Sequence, residues 1–246
     1  MVNMFCILID LNLIWGNMKL KKVPNHIGFI VDGNGRWAKK RNLERSIGHK
    51  FGVIAVKKII NALLDYDIKY ASFFVFSTEN FKRSEYEINN IFELLRKYLE
   101  TEIQEFDKKD IKLVVCGDIQ KLPKDLQESL RKAIETTKDN KKLTVNMCLN
   151  YGGIQDIVFA VNNIISKNIK SVDENIIKEN LYTKNLPSLD YVVRTSNEKR
   201  ISNFMLYDLA YAELYFTKTF WPDFNKRKLY KALIEYQKRD RRFGNA

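Results

Sequence analysis

The sequence predicts a single α/β domain of about six mainly parallel strands flanked by helices. Three observations carry that prediction. Short apolar runs alternate with longer stretches of helical period along the chain, the pattern of successive strand–helix units. One run, Tyr70-Ala71-Ser72-Phe73-Phe74-Val75-Phe76, is almost continuously apolar, as suits a strand covered on both faces. No repeat, low-complexity segment or Pro/Gly/Ser-rich linker divides the 246 residues, a length that one large domain can account for.

The elements follow in order. Residues 27–31 form the first strand, ended by Asp32-Gly33-Asn34-Gly35. Residues 51–64 have a helical period, with Ile54, Ile59, Ile60, Leu63 and Leu64 apolar. The strand at 70–76 is next. Helical spacing then returns with Ile88, Ile91, Phe92, Leu95, Tyr98, Leu99 and Ile103. Strand 111–116, helix 124–137, strand 143–149 and helix 153–166 repeat the unit. Strand 189–193 and the apolar run Leu214-Tyr215-Phe216 follow, and a basic helix at 226–242 closes the chain. At the other end, the apolar stretch 5–15 is interrupted by Asp10 and Asn12. It falls short of the ~18–20 residues a membrane span needs and lacks the basic region and cleavage site of a signal peptide. Met18-Lys19-Leu20-Lys21-Lys22 reads as a natural start, so 1–17 is expected to be a non-essential extension and 18–246 the working domain.

Composition narrows the function classes. Ten glycines and four prolines are too few for a collagen-like or Pro-rich disordered chain. Cys6, Cys116 and Cys148 are an odd set with no CxxC; they suit neither a disulfide framework nor a cysteine zinc cluster, and fit a reducing compartment. The net charge of +12, from 42 Lys and Arg against 30 Asp and Glu, suits an anionic partner: nucleic acid, a membrane surface or a phosphorylated small molecule. A lysine-rich solvated surface explains the charge equally well.

Ligands of open α/β sheets bind beyond the carboxyl ends of the strands, and three polar clusters fall there. They are 32–38, 77–83 and 194–203. The first contains Gly33-x-Gly35-x-x-Ala38, formally a dinucleotide fingerprint. Asp32 stands directly before it, however, and would repel a bare pyrophosphate unless it held a bridging divalent cation. No acidic ribose partner follows at the expected spacing, and no GxxxxGK[ST] exists. Arg36, Arg45, Arg83, Arg194 and Arg200 lie around the clusters, and arginine bonds phosphate oxygens in pairs. Five arginines near strand ends point to an anion site, and two such sites would suit a reaction joining two phosphorylated substrates. His49 follows Arg45 at a helix start, placed to donate a hydrogen bond or proton near phosphate. His26 receives no role beyond packing or capping.

These residues carry a resemblance. The segment 26–38, with His26-Ile27-Gly28-Phe29 leading to Asp32-Gly33-Asn34-Gly35-Arg36-Trp37-Ala38, closely resembles the opening signature of the cis-prenyltransferases, the undecaprenyl diphosphate synthase family. So do Phe76-Ser77-Thr78-Glu79-Asn80, Asn150-Tyr151-Gly152-Gly153, Arg194-Thr195 with Glu198-x-Arg200-Ile201-Ser202-Asn203-Phe204, Ala210-Tyr211-Ala212-Glu213, Trp221-Pro222-Asp223-Phe224 and Arg241-Arg242-Phe243-Gly244. The motifs keep the family's order from about residue 23 to 244.

The resemblance implies a cis-prenyltransferase catalytic domain working as a homodimer. It implies Mg²⁺-dependent, sequential condensation of isopentenyl diphosphate onto an allylic diphosphate, with farnesyl diphosphate as the expected primer and undecaprenyl diphosphate, a cell-wall lipid-carrier precursor, as the expected product. Carried over by position, Asp32 binds Mg²⁺, with Glu213 as the second metal-linked carboxylate. Gly33, Asn34, Gly35, Arg36, Trp37, Arg45 and His49 cradle the allylic diphosphate. Asn80 matches the proposed proton acceptor, near Ser77, Thr78, Glu79, Phe81 and Arg83. Arg194, Arg200, Ile201 and Ser202 hold isopentenyl diphosphate, and Arg242 and Gly244 reach the partner subunit's site. An apolar tunnel would be walled by helix 88–106 and strands 73–76 and 143–149, with Leu143 at its floor and Val75 nearby. Ser196-Asn197 replaces the usual Gly-Gly, Phe81 a common Trp and Ile154 a frequent Arg. The expected location is cytoplasmic, with peripheral contact at the inner membrane face as the option the basic final helix raises. No nucleic-acid partner is expected: the basic run 226–242 would favour one, but no recognised module accompanies it. A catalytically silent subunit of a heteromeric transferase is the other alternative, and the retained Asp32 and arginines argue against it.

Overall fold

The computed structural model describes residues 20–241, so the extension 1–17 and the carried-over residues Arg242 and Gly244 lie outside the described part. Six strands form one sheet: β1 (His26–Ile30), β2 (Tyr70–Ser77), β3 (Ile111–Cys116), β4 (Leu143–Tyr151), β5 (Tyr191–Arg194) and β6 (Glu213–Phe216). Their order is β3-β4-β2-β1-β5-β6, and every neighbouring pair is parallel. Among the described residues, seven α-helices connect and cover them: α1 (Asn34–Lys39), α2 (Arg45–Asp65), α3 (Glu85–Lys108), α4 (Lys124–Thr137), α5 (Gly153–Ser166), α6 (Glu174–Asn180) and α7 (Lys226–Gln237).

The helix boundaries at 124–137 and 153–166 and the strand at 111–116 fall where the sequence places them. Helix α2 starts at Arg45, six residues before its apolar period begins. Its first two turns carry Gly48 and Gly52, which let α1 approach: a Cβ on Gly48 would lie 2.1 Å from the Asn34 carbonyl oxygen. Short α1 and α6 have too few residues to show a period. Helix α7 ends at Gln237 rather than 242. Beyond it Arg239 bonds Glu213 at 2.5 Å, and Arg241 pairs with Asp190.

Burial is two-sided, as a parallel sheet requires. On one face Phe29, Phe73, Trp221 and Phe224 pack with α2, α3, α4 and α7; the Phe29 and Phe73 rings stack at 5.0 Å. On the other face Phe204, Met205, Leu186 and Leu189 cover the sheet. His26 is fully buried beneath it, its Nδ1 2.7 Å from the Pro187 carbonyl and its Nε2 2.8 Å from Ser72 Oγ. His26 is thus a packing residue.

The sheet order positions the site. From β1 the chain moves to one side for β2 and later to the other for β5. The carboxyl ends of β1, β2 and β5 therefore open at the point where the order reverses, where such folds bind ligands. Asp32, Ser77 and Arg194 sit there.

Candidate active site

A cavity of about 740 Å³ opens at these strand ends. Its mouth is polar and its depth apolar. Of the expected site residues, Asp32, Gly33, Asn34, Gly35, Arg36, Arg45, His49, Ser77, Glu79, Asn80, Arg83, Arg194, Arg200 and Ser202 line it.

Asp32 follows β1, its backbone fixed by its N–H to Thr195 Oγ1 at 3.0 Å and by the Trp221 N–H to its carbonyl at 3.0 Å. Its carboxylate accepts from Arg194 Nη2 at 3.0 Å and from Arg36 Nη2 at 3.1 Å. Arg36 also meets Glu198 at 2.5 Å, and the other oxygen of Glu198 meets Arg200 at 2.5 Å. One chain of charges thus runs from Arg194 through Asp32, Arg36 and Glu198 to Arg200. Buried Arg194 also donates to the Arg200 carbonyl and to Ser202 Oγ, which fixes the loop carrying Arg200.

That loop is conformationally unusual. Ser196, Asn197, Ser202, Asn203 and Met205 all have positive φ, including 77° at Ser196 and 62° at Asn197. Ser-Asn therefore occupies left-handed backbone that glycine adopts without strain. The Ser196 hydroxyl fills the space beside Gly33, where a Cβ would come within 2.1 Å of it. Asn203 accepts from the Ile154 N–H at 2.8 Å and donates to Glu79 at 3.1 Å. Gly152 permits this approach, since a Cβ there would lie 2.6 Å from Asn203 Nδ2.

Across the mouth, Arg45, His49 and Arg83 face Glu87. Burial pulls the His49 imidazole below its ordinary pKa against the opposing pull of Glu87. Burial also works to raise the Glu87 carboxyl, but Arg83, Arg45 and His49 outweigh it and the net shift is downward. Asn80 and Ser77 form a reciprocal cap: the Asn80 side chain accepts the Ser77 N–H at 3.1 Å, and Ser77 accepts the Asn80 N–H.

The apolar depth is walled by Ile91, Leu94, Leu95 and Tyr98 of α3, Phe74 and Val75 of β2 and Met147 of β4, in the elements expected. Val53 and Val56 of α2 complete it. Phe74 and Val75 are consecutive, yet both line the cavity, because the β2–β4 register shifts between Phe74 and Phe76. Leu143 does not reach the cavity; it is fully buried in the core at the amino end of β4. Tyr98 is among the residues that line the apolar depth.

Five expected residues are placed elsewhere. Trp37 is buried and donates to Asp223 at 2.8 Å, so it braces α1. Thr78 sits beside Gly152, Phe81 packs edge-on against Phe76 at 5.0 Å, and Ile201 packs on the second core. Glu213 stands apart from Asp32 within the chain. It starts β6, paired with Tyr191 at the start of β5, and its carboxylate bonds Arg239 at 2.5 Å. Asp32 lies beyond the opposite ends of the strands. Parallel pairing separates the two carboxylates within one chain, and among the described residues no cluster of three or more His, Cys, Asp or Glu could hold a metal. Glu87, Glu198 and Asn203 received no site role from the sequence. Glu198 and Asn203 stood inside the motif that announced Arg200; Glu87 carried only a capping-box signal.

The chain matches the family profile described as "Putative undecaprenyl diphosphate synthase" over residues 30–244. It belongs to the undecaprenyl diphosphate synthase family. The isoprenyl transferase of Clostridium tetani is 43% identical over 233 residues, covering 92% of this chain and 91% of that protein. The isoprenyl transferase of Prochlorococcus marinus is 43% identical over 91% of this chain and 85% of its own length. Among solved structures, lavandulyl diphosphate synthase from Lavandula x intermedia, in complex with dimethylallyl diphosphate, superposes with a TM-score of 0.87 at 33% identity, over 91% of this chain and 99% of that one. A "probable undecaprenyl diphosphate synthase" from Campylobacter jejuni superposes with a TM-score of 0.77 at 31% identity, over 92% of this chain and all of that one. This member of the family is a prenyl transferase.

Proposed function

We propose that the chain condenses isopentenyl diphosphate onto an allylic diphosphate, with farnesyl diphosphate as primer and a long-chain polyprenyl diphosphate, undecaprenyl diphosphate, as product. The observation that carries this reading is one cavity with a cationic mouth and an apolar depth. The mouth suits two diphosphates, with Arg45, His49 and Arg83 on one side and Arg194, Arg200 and Ser202 on the other. The depth suits a growing hydrocarbon chain and excludes water from an allylic cation. The related lavandulyl synthase complex holds dimethylallyl diphosphate, an allylic diphosphate, which supports the substrate class.

Asp32 is the residue that would hold Mg²⁺. A single hard-oxygen carboxylate, partly exposed toward the cavity, fits an ion that takes its remaining ligands from phosphate and water. The ion would supply positive charge to the departing diphosphate. Arg36, Arg45 and Arg83 stabilise the same developing charge. Asn80, whose side-chain carbonyl accepts the Ser77 N–H, lines the cavity and is the candidate acceptor for the departing proton.

The homodimer belongs to the same reading. Ile154, Val158, Val161 and Ile165 form an exposed apolar stripe along α5 at spacings of four, three and four, and a second copy would cover it. The basic final segment is less available to a membrane or nucleic acid than its composition suggests, since Lys226, Arg239 and Arg241 pair with Asp65, Glu213 and Asp190. Among the described residues no helix is long and apolar enough to cross a membrane.

The test is incubation of the purified chain with farnesyl diphosphate, labelled isopentenyl diphosphate and Mg²⁺, with and without EDTA, followed by chromatographic sizing. A Mg²⁺-dependent polyprenyl ladder is expected. No incorporation by folded protein, with shorter primers tried as well, would overturn the reading in favour of a silent subunit.

A further inference from the structure

Three groups at the cavity mouth converge on one oxygen atom. Arg45 Nη2, His49 Nε2 and Arg83 Nη1 lie 3.1, 3.3 and 3.0 Å from Oε1 of Glu87. All three line the cavity, whereas Glu87 stands behind them. Its side chain is only 15% exposed. The cations come from separate elements: Arg45 and His49 from the start of α2, and Arg83 from the segment leading into α3. Arg45 also lies against the turn after β1, where a Cβ on Gly35 would meet its Cζ at 3.1 Å.

Helix capping does not explain this arrangement. Ser84-x-x-Glu87 has the spacing of a capping box, and Ser84 Oγ accepts the Glu87 N–H at 3.4 Å. The returning half, from the Glu87 carboxylate to the Ser84 N–H, is not among the hydrogen bonds of the described residues. The carboxylate turns away from its own helix end toward the cations. Without it, two permanently charged guanidinium groups would face each other across a partly buried mouth and repel. With it, each arginine keeps donors free for the cavity, because a guanidinium carries five.

We propose that Glu87 is a positioning residue that gathers Arg45, His49 and Arg83 into a preformed cradle for the diphosphate of the allylic substrate. The proposal rests on reading the cavity as a diphosphate site. Glu87 touches no reacting atom; it acts by holding donors where a multiply charged diphosphate then binds them.

The test is calorimetric titration of inorganic pyrophosphate into the wild-type protein, Glu87→Ala and Glu87→Gln, with steady-state KM values for both substrates. Wild type is expected to bind pyrophosphate. Glu87→Ala should weaken that binding, and raise the KM for the allylic diphosphate, by about tenfold. The KM for isopentenyl diphosphate should stay within about twofold, while kcat falls together with the allylic affinity, because Arg45 and Arg83 also stabilise the charge on the departing diphosphate. Glu87→Gln keeps an acceptor oxygen and should recover part of the loss; it also carries the comparison if Glu87→Ala does not fold. A substituted protein with unchanged pyrophosphate affinity and unchanged KM overturns the proposal. So does a lowered melting temperature with both KM values altered alike, which would assign Glu87 to capping. Absence of pyrophosphate binding by wild type would instead remove the diphosphate reading on which the proposal stands.

Discussion

The Asp32 carboxylate and the Arg194 guanidinium meet at 3.0 Å across adjacent parallel strands. Arg194 ends β5 in register with Ile30 of β1, and Asp32 lies two residues on. The guanidinium is 4% exposed and the carboxylate 28%. A buried cation is thus balanced by an anion that still faces the cavity, and the same cation anchors the loop bearing Arg200.

Asp32→Ala is expected to lower turnover by about 10³-fold, the scale for losing charge stabilisation in a transition state. The backbone bonds to Thr195 and Trp221 remain, so the fold persists. Arg194 loses its anion, at a cost of about 1–3 kcal/mol in stability. Steady-state kinetics beside thermal melting separate the two effects; near-normal turnover would remove Asp32 from the chemistry.

Arg200→Ala should raise the KM for isopentenyl diphosphate by about tenfold and spare the allylic KM, because Glu198 keeps its bond to Arg36. Initial rates with each substrate varied in turn check this. A rise confined to the allylic substrate would mean that the two diphosphate sites are exchanged.

Tyr98 lines the apolar depth. Its hydroxyl is buried without a hydrogen-bond partner, and its ring also borders a small void near Lys57, Ile60 and Phe106. Tyr98→Ala should lengthen the product distribution while costing about 3–5 kcal/mol of stability. Tyr98→Phe removes the orphan hydroxyl alone and should leave product length unchanged. Chromatography of the products decides; identical ladders from Tyr98→Ala and wild type would place the limit elsewhere.

Two buried groups act oppositely on acid stability. Burial lowers His26 to about 4, so the unfolded chain binds its proton first and stability falls as pH drops from 6.5 toward 4. Burial, aided by Asp208, raises Asp156 to about 6 against bonds from Tyr182 and Tyr151, so the folded chain binds its proton first and stability rises as pH drops from 6 toward 3.8. Asp156→Asn should therefore lose more stability than wild type between pH 6 and 4, and His26→Gln less. Each difference is about 3 kcal/mol at most, read from urea midpoints at pH 7 and 4.5. Parallel curves for the variants and wild type would contradict this assignment.

The strands, the longer helices and the polar clusters were legible in the sequence because they are written in local periodicity and in motifs short enough to read along the chain. Alternation of apolar runs and helical periods was enough for a parallel sheet, and the order of motifs from Asp32 to Glu213 was enough for the family. Fourteen of the expected site residues meet at one cavity, most of them in the segments that follow β1, β2 and β5, where a parallel sheet gathers them, while Arg45 and His49 join from the start of α2.

What only the tertiary structure decided concerns pairs from distant elements. Glu213 looked like a partner for Asp32, but the β5–β6 register sets it at the amino edge of the sheet, bonded to Arg239. Leu143 looked like the cavity floor, yet the sheet buries it in the core and Tyr98 lines the apolar depth. Glu87 drew no reading from the sequence; its place became visible only when α2 brought Arg45 and His49 against it. Periodicity reports which face of an element is buried, and that is a local property. Which charges then meet is set by strand order and register, and a chain of residues read one after another does not contain either until it has folded.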